Sequence, residues 1–393
     1  MRCHTSKARL AKEVRGLTLV ALRKRTFRLT AVIHFALLLP SLCAAESYSI
    51  TDLGTLGGTF SQAFNINASG QVTGWASTST EELHAFLYDG SMHDLGTFAG
   101  FNSAGFSINA GGQVTGQDDF GHTFLWTPTT PNGASGTIVG LVNHSNAQGI
   151  NASGQVAGYF VTDDLGTTHA FVWTPTTPNG ASGTLHDLGT LGGTNSYGAQ
   201  INASGQITGF SETAGGQRDA FLWTPTTPNG SSGTMTDLGA LGGVFSQGFG
   251  INASGQVAGV ILTTDSKFRA FLYDGTMHDL GALGGGESNA QGINASGQVT
   301  GWASTTGDLI NHAILYDSVH GMRDLNSLIP LLSGWELTNG IAINDAGQIT
   351  GFGTIGGETH AFLATPIPEP NSIVLAALGF AASAAWGWRR RKR

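Results

Sequence analysis

The segment Ile66-Asn67-Ala68-Ser69-Gly70-Gln71-Val72 recurs, nearly letter for letter, along this 393-residue chain, with later copies beginning at Ile108, Ile150, Ile201, Ile251, Ile293 and Ile343. The spacings are 42, 42, 51, 50, 42 and 50 residues. A self-similar period of this size marks a repeat architecture. It constrains the fold closely and the chemistry hardly at all. The 59 glycines fall at fixed places in each copy and read as turn residues rather than low-complexity filler.

Each copy reads as four short strands. The first ends in Ile-Asn, and Asn67-Ala68-Ser69-Gly70 then makes a tight turn. The Asn side chain suits bonding to nearby backbone, and Gly takes the φ > 0 position of a type I turn with a G1 bulge. Residues 71–75 form the second strand and 84–88 the third; Asp89-Gly90 turns the chain into the fourth, 92–95. Alternating apolar segments of four to six residues, divided by turn signals, exclude helices throughout the body. Three copies replace the Asp-Gly hairpin with proline-containing loops at 127–136, 174–183 and 224–233, which are expected to project from one face.

Strand counting sharpens this reading. The fourth-strand leucine recurs at Leu53, Leu95, Leu141, Leu188, Leu238, Leu280 and Leu325. The first precedes every other strand, and the last copy ends at Ala364 without one. Residues 48–53 can therefore supply the missing strand of the last copy. The prediction is all-β: a closed seven-bladed β-propeller of about 42–50-residue repeats rather than an open solenoid.

The third strands carry the tripeptides His84-Ala85-Phe86, His169-Ala170-Phe171 and His360-Ala361-Phe362. Variants are His122-Thr123-Phe124, Asp219-Ala220-Phe221, Arg269-Ala270-Phe271 and His312-Ala313-Ile314. In these the body resembles the HAF-repeat family of bacterial extracellular proteins. The resemblance implies export and a repeat fold, and brings no activity, substrate or catalytic residue with it.

Both ends read as export signals. Arg23-Lys24-Arg25 and Arg28 precede an apolar run at 29–42, followed by Cys43-Ala44-Ala45, which predicts a signal peptide cleaved near Ala45. At the other end, Pro368-Glu369-Pro370 precedes residues 373–388, sixteen residues without charge, and then Arg389-Arg390-Arg391-Lys392-Arg393. Sixteen helical residues span roughly 24 Å, and flanking arginines can snorkel to the interface. A transmembrane helix is expected there, with its basic end cytoplasmic and the body on the far side. This tail resembles the PEP-CTERM sorting signals of Gram-negative bacteria. The resemblance implies recognition by an exosortase, cleavage near Pro368-Glu369-Pro370, and release to the cell surface or extracellular matrix. The domains are thus 1–45, an N-terminal extension and signal peptide; 46–366, the repeat body; and 367–393, the sorting segment. The two cysteines, Cys3 and Cys43, both lie in the N-terminal segment, so no disulfide framework holds the body.

Residues 46–366 hold four basic residues (Arg218, Lys267, Arg269, Arg323) against 24 acidic ones, a formal net of −20. A body that acidic repels phosphate backbones, so a nucleic-acid partner is not expected. It also repels anionic polysaccharide unless divalent cations intervene.

Candidate chemistry is sparse. Asp52, Asp94, Asp187, Asp237, Asp279 and Asp324 occupy equivalent sites, with Gly140 breaking the series, and His93, His186 and His278 precede three of them. Adjacent strand residues point to opposite faces, so a turn or inter-blade contact is the expected role. The pairs Asp118-Asp119 and Asp163-Asp164 are candidate Ca²⁺ ligands, since clustered carboxylates suit hard cations; neither has the spaced oxygens of the twelve-residue Ca²⁺ loop. The sequence has no Gly-x-Ser-x-Gly elbow, no His-Glu-x-x-His and no paired Cys ligands. Trp126, Trp173 and Trp223 end third strands where other copies place Tyr88, Tyr273 and Tyr316, and Trp75 and Trp302 end second strands. Such aromatics stack on sugars at a rim or wedge between blades, and the core role is expected. The reading is a non-enzymatic surface protein without a resident cofactor, a binding or structural component of the extracellular matrix. Exosortase is its expected processing partner and extracellular polysaccharide a candidate ligand. A propeller glycan hydrolase or lyase, and a protein-docking module, are the alternatives.

Overall fold

A computed structural model describes residues 47–368, save 143, 163–165 and 308–309. Ala45, Glu369, Pro370, the segment 373–388 and Arg389, Arg390 and Arg391 lie outside the described residues, as do Asp163 and Asp164. Among the described residues no helix is long and apolar enough to cross a membrane.

The 28 strands pair as successive antiparallel units of four. Residues 57–96, 103–140, 145–187, 192–239, 245–279 and 284–324 form six units, each contiguous in sequence. The seventh takes Trp335–Ile343, Ile349–Ile355 and Glu358–Ile367, and its outer strand is Ser47–Asp52 from the other end of the chain. That strand pairs antiparallel from Ser47 opposite Ile367 to Asp52 opposite Phe362. Single parallel residue pairs, Phe60 with Thr359 and Arg218 with Phe245, stitch the first unit to the seventh and the fourth to the fifth.

Local chemistry explains why each copy folds alike. In the Asn turn, Gly70 sits at φ +83°, and Gly70 N–H donates to the Asn67 carbonyl at 3.1 Å. Only glycine takes that conformation without a Cβ penalty. Gly74 answers a different demand. It lies opposite the bulge of the inner strand, where the register slips between Ala63 and Asn65, and a Cβ there would overlap the Gln62 carbonyl oxygen.

The core lies between neighbouring units rather than inside each one. Ala85, Leu87 and Leu95 of the first unit pack with Ile108, Val114, Phe124 and Trp126 of the second. Ala63, Ile66 and Phe86 of the first pack with Ala361 of the seventh. Tyr48, fully buried, joins a cluster spanning the sixth and seventh units. The His-Ala-Phe tripeptide is legible within this plan. Phe86 and its equivalents are fully buried. The Ala N–H bonds a serine hydroxyl of the next unit: Ala85 to Ser103, Ala170 to Ser196, and, across the chain ends, Ala361 to Ser61. The His holds the outer strand.

The three long loops do more than project. Asn132 N–H donates to the Gly111 carbonyl, and Asn179 N–H to that of Ser153, so each loop folds back over its own unit's Asn turn. Gln71, Gln113 and Gln155 then donate through Nε2 to the carbonyls of Asn132, Asn179 and Asn229, one unit further on. Each loop thus clamps two adjacent turns. It also explains why Trp replaces Tyr in these units. Trp126, Trp173 and Trp223 are 2–3% exposed, and a Cβ on the loop glycines Gly136, Gly183 and Gly233 would strike their indoles. The loop glycine lies flat on the indole, which is a core role.

Candidate functional site

The recurring turn asparagine reaches further than its own turn. Asn67 Oδ1 accepts from the N–H groups of Ser69 and Gln71, at 3.1 and 3.0 Å. Its Nδ2 donates to Gln71 Oε1 at 2.9 Å and to the Asn109 carbonyl of the next unit at 3.1 Å. The same inter-unit bond runs from Asn109 to Asn151, then to Asn202, Asn252, Asn294 and Asn344. Asn344 donates back to the Asn67 carbonyl at 3.1 Å, so the chain of bonds closes on itself. Every one of these asparagines is buried, and every amide hydrogen and oxygen in the ring has a partner, as a buried polar group requires.

Along the ring axis, the inner strands of all seven units line a cavity of about 490 Å³. The copies diverge along its wall. The position two residues before the repeated Ile is Phe64, Phe106, Gln148, Ala199, Phe249, Gln291 and Ile341 in turn, and no charged side chain lines the cavity. At the turn-side mouth, six copies place Ala after the ring Asn, and the seventh places Asp345. Asp345 Oδ1 is occupied by the Ala295 N–H at 2.8 Å.

The recurring His and Asp residues meet in pairs. His84 Nδ1 lies 2.9 Å from Asp94, His169 2.8 Å from Asp187, His312 2.7 Å from Asp324, and His360 3.0 Å from Asp52. Asp94 Oδ1 also takes the Gly96 N–H, the bond that turns the chain toward the next unit. Gly140 removes the carboxylate in the second unit, and His122 turns instead to Asp118 at 3.0 Å. His93 and His278 lie on the outer strand and bond Asp89 and Asp274 across the hairpin. Ser91, His93 and Asp89 superficially resemble a catalytic triad. Both contacts converge on Nε2, however, so the ring cannot take a proton from Ser91 while the carboxylate orients its other nitrogen.

Units four and five depart from this pattern, with Asp219 and Arg269 standing where the other five have His. Asp219 is buried, and its Oδ1 has no hydrogen-bond partner. Burial, and then the charge of Asp237, raise its pKa above the ordinary carboxylate value.

Asp118 and Asp119, a candidate Ca²⁺ pair, are engaged separately. Asp118 accepts from the Phe120 and His122 N–H groups, and Asp119 from Phe101 N–H and Asn102 Nδ2. No group of three His, Cys, Asp or Glu that could hold a metal occurs among the described residues.

The sequence reading missed an exposed aromatic cluster. Phe98, Phe101 and Phe120 are 42%, 69% and 66% exposed, and Phe98 and Phe120 flank the His122 ring at 6.3 and 6.1 Å. The signal was available, because the connection Thr97-Phe98-Ala99-Gly100-Phe101 departs from the Leu-Gly-Gly that recurs at 56–58, 191–193, 241–243 and 283–285. Leu241, Val244, Leu331 and Leu332 are exposed on equivalent inter-unit connections, which lie on the face opposite the Asn turns.

No curated protein matches the chain. Among solved structures, the chain is similar to the Dos1 propeller, with a TM-score of 0.45 at 10% identity over 81% of this chain and 95% of that one. It is also similar to Porphyromonas gingivalis dipeptidyl peptidase 4, with a TM-score of 0.39 at 12% identity over 75% and 51% of the two chains. An Aleuria aurantia lectin in complex with Fucalpha1-6GlcNAc gives a TM-score of 0.35 at 11% identity over 70% and 94%. Residues 366–392 match the family described as the PEP-CTERM protein-sorting motif, and so place the C-terminal segment in the exosortase-substrate class.

Proposed function

We propose that the chain is an exported, closed seven-bladed β-propeller of the HAF-repeat type. It acts without catalysis as a binding or scaffold component of the extracellular matrix after exosortase processing. The observation that carries this is the sorting motif at 366–392, which abuts the last paired residues of the ring. Ile367 pairs with Ser47, so both ends of the described chain leave from one edge, on the face of the Asn turns. A protein tethered through its tail would then turn the opposite face outward, with Phe98, Phe101 and Phe120. Exposed rings on an acidic, nearly cation-free body suit neutral glycan better than polyanion.

The test expresses the full chain in a Gram-negative host that carries an exosortase. The body is expected at the cell surface or in the matrix without its tail, whereas Glu369→Ala leaves the tail attached and the protein in the membrane fraction. Equal fractionation of the two would defeat the reading.

A further inference from the structure

We infer that the outer edge of the second unit is a self-association site, at which strand Gly136–Gly140 pairs antiparallel with the same strand of a second copy of the chain. The outermost strand of each unit is a sheet edge, and folded proteins commonly guard such edges with charge. The seven copies supply the comparison. Six outer strands carry an aspartate: Asp52, Asp94, Asp187, Asp237, Asp279 and Asp324. The second unit has Gly140 there, and its outer strand reads Gly-Thr-Ile-Val-Gly. The gap is wider than one residue. From Thr123 to Val142 the outer half of this unit holds no Asp, Glu, Lys, Arg or His. Thr137 to Val142 is β-prone, uncharged and without proline, a composition that pairs readily with another strand.

The backbone is placed to do so. Among the described residues this strand pairs only with Thr123–Pro128. Leu141 N–H donates inward to the Thr123 carbonyl, so by antiparallel alternation Thr137 and Val139 also bond inward. Gly136, Ile138 and Gly140 then turn their N–H and C=O groups outward. That row is self-complementary. With Ile138 opposite its own copy, Gly136 meets Gly140 at either end, and the pair closes on a two-fold axis. The exposed rings continue the same surface. Phe98 lies over Gly140, where a Cβ would come 2.6 Å from the ring, and Phe120 flanks the same His122 ring as Phe98. The occupant follows from charge. A body of formal net −20 attracts cationic partners wherever its carboxylates lie, and this edge has none. A charge-free edge suits a partner of like charge, which is another copy; charges elsewhere on the two bodies are screened beyond about 8 Å at physiological salt. A five-residue strand from each copy makes a small interface, so the dimer is expected to exchange with monomer.

Site-directed crosslinking of the full chain tests this. The repeat body has no cysteine, since Cys3 and Cys43 both lie in the N-terminal segment. In the two-fold pair the two copies of Ile138 face each other with Cα atoms about 5.5 Å apart. Ile138→Cys with a short bismaleimide is therefore expected to give a covalent dimer at about 100 µM protein. Leu185→Cys, the equivalent position on the guarded edge of the third unit, is the control and is expected to give at least about tenfold less. Thr137→Lys, a charge at an exposed site of the same strand, is expected to lower the Ile138→Cys dimer at least about fivefold without moving the urea midpoint. A monofunctional maleimide checks that both thiols react, so that a missing dimer counts as a result. No dimer from Ile138→Cys, or equal yields from Ile138→Cys and Leu185→Cys, overturns the inference. Crosslinking of Ile138→Cys on intact cells to a different protein in place of a second copy overturns it too.

Discussion

Asn344 is where the ring closes, and replacing it separates a ring from a set of independent turns. Its Oδ1 accepts from Ala346 and Gln348 N–H at 3.1 and 3.0 Å, and its Nδ2 donates to Gln348 Oε1 at 2.9 Å and to the Asn67 carbonyl at 3.1 Å. Asn344→Ala leaves the Gln348 N–H without its partner and removes one of the two donors on the Asn67 carbonyl, which keeps the Gly70 N–H. At about 1–3 kcal/mol for a buried orphan, the loss should be about 1–3 kcal/mol. Asn344→Asp is the sharper variant. An aspartate makes the same local turn as asparagine, because both accept from the backbone two residues on. If the side chain served only its own turn, the change would be nearly neutral. In the ring it replaces two donors with anionic oxygen facing the Asn67 carbonyl and Gln348 Oε1, and a buried unpaired charge should cost about 3 kcal/mol or more. Urea unfolding at pH 7, followed by tryptophan fluorescence, measures both. A ring has no ends, so Asn151→Asp, far from either terminus, should cost the same as Asn344→Asp. Asn344→Asp within about 0.5 kcal/mol of the wild type would refute the closed network.

Other perturbations follow from the same geometry. Tyr48→Ala should destabilise by about 3–5 kcal/mol in urea unfolding, because a fully buried aromatic of the exchanged strand leaves a cavity between units six and seven. Gly74→Ala should cost about 3 kcal/mol or more, since its Cβ meets backbone rather than a side chain that can move; a well-folded variant of unchanged midpoint would contradict the bulge geometry. Asp219 gives a pH signature. Its folded pKa is raised above 3.8, so the folded state holds the proton to higher pH than the unfolded chain, and stability falls as pH rises through that raised value. Asp219→Asn should therefore gain on the wild type as pH rises from about 4 to 7, and a constant difference over that window would contradict the burial of an unpartnered carboxyl.

What the sequence made legible was backbone geometry. The period, the strand count and the early strand around Tyr48 follow from patterns confined to single copies, and the turn at Gly70 follows from conformational preference. Contacts between copies were not legible. A turn asparagine satisfied by two N–H groups of its own loop has the same sequence as one that also donates to the next unit. Likewise, nothing in Thr127 to Gly136 as a string says that Asn132 folds back onto Gly111. The Trp-for-Tyr exchange in the looped copies was visible as covariation, but its reason, a glycine flat against an indole, needed the fold.

The repeat fixes atoms that bond to neighbours and frees atoms that do not. Asn67 and Ser61 recur because the side chain of each bonds an adjacent unit, and changing either breaks that bond. The inner-strand position of Phe64 and Gln291 lines the cavity, and Phe64 meets Phe106 of the next unit only ring against ring, 5.8 Å between centroids, not through a hydrogen bond. About 490 Å³ stays open beside it, so close packing does not dictate its volume. The position is therefore held less tightly than the bonded ones, and Phe, Gln, Ala and Ile all stand there.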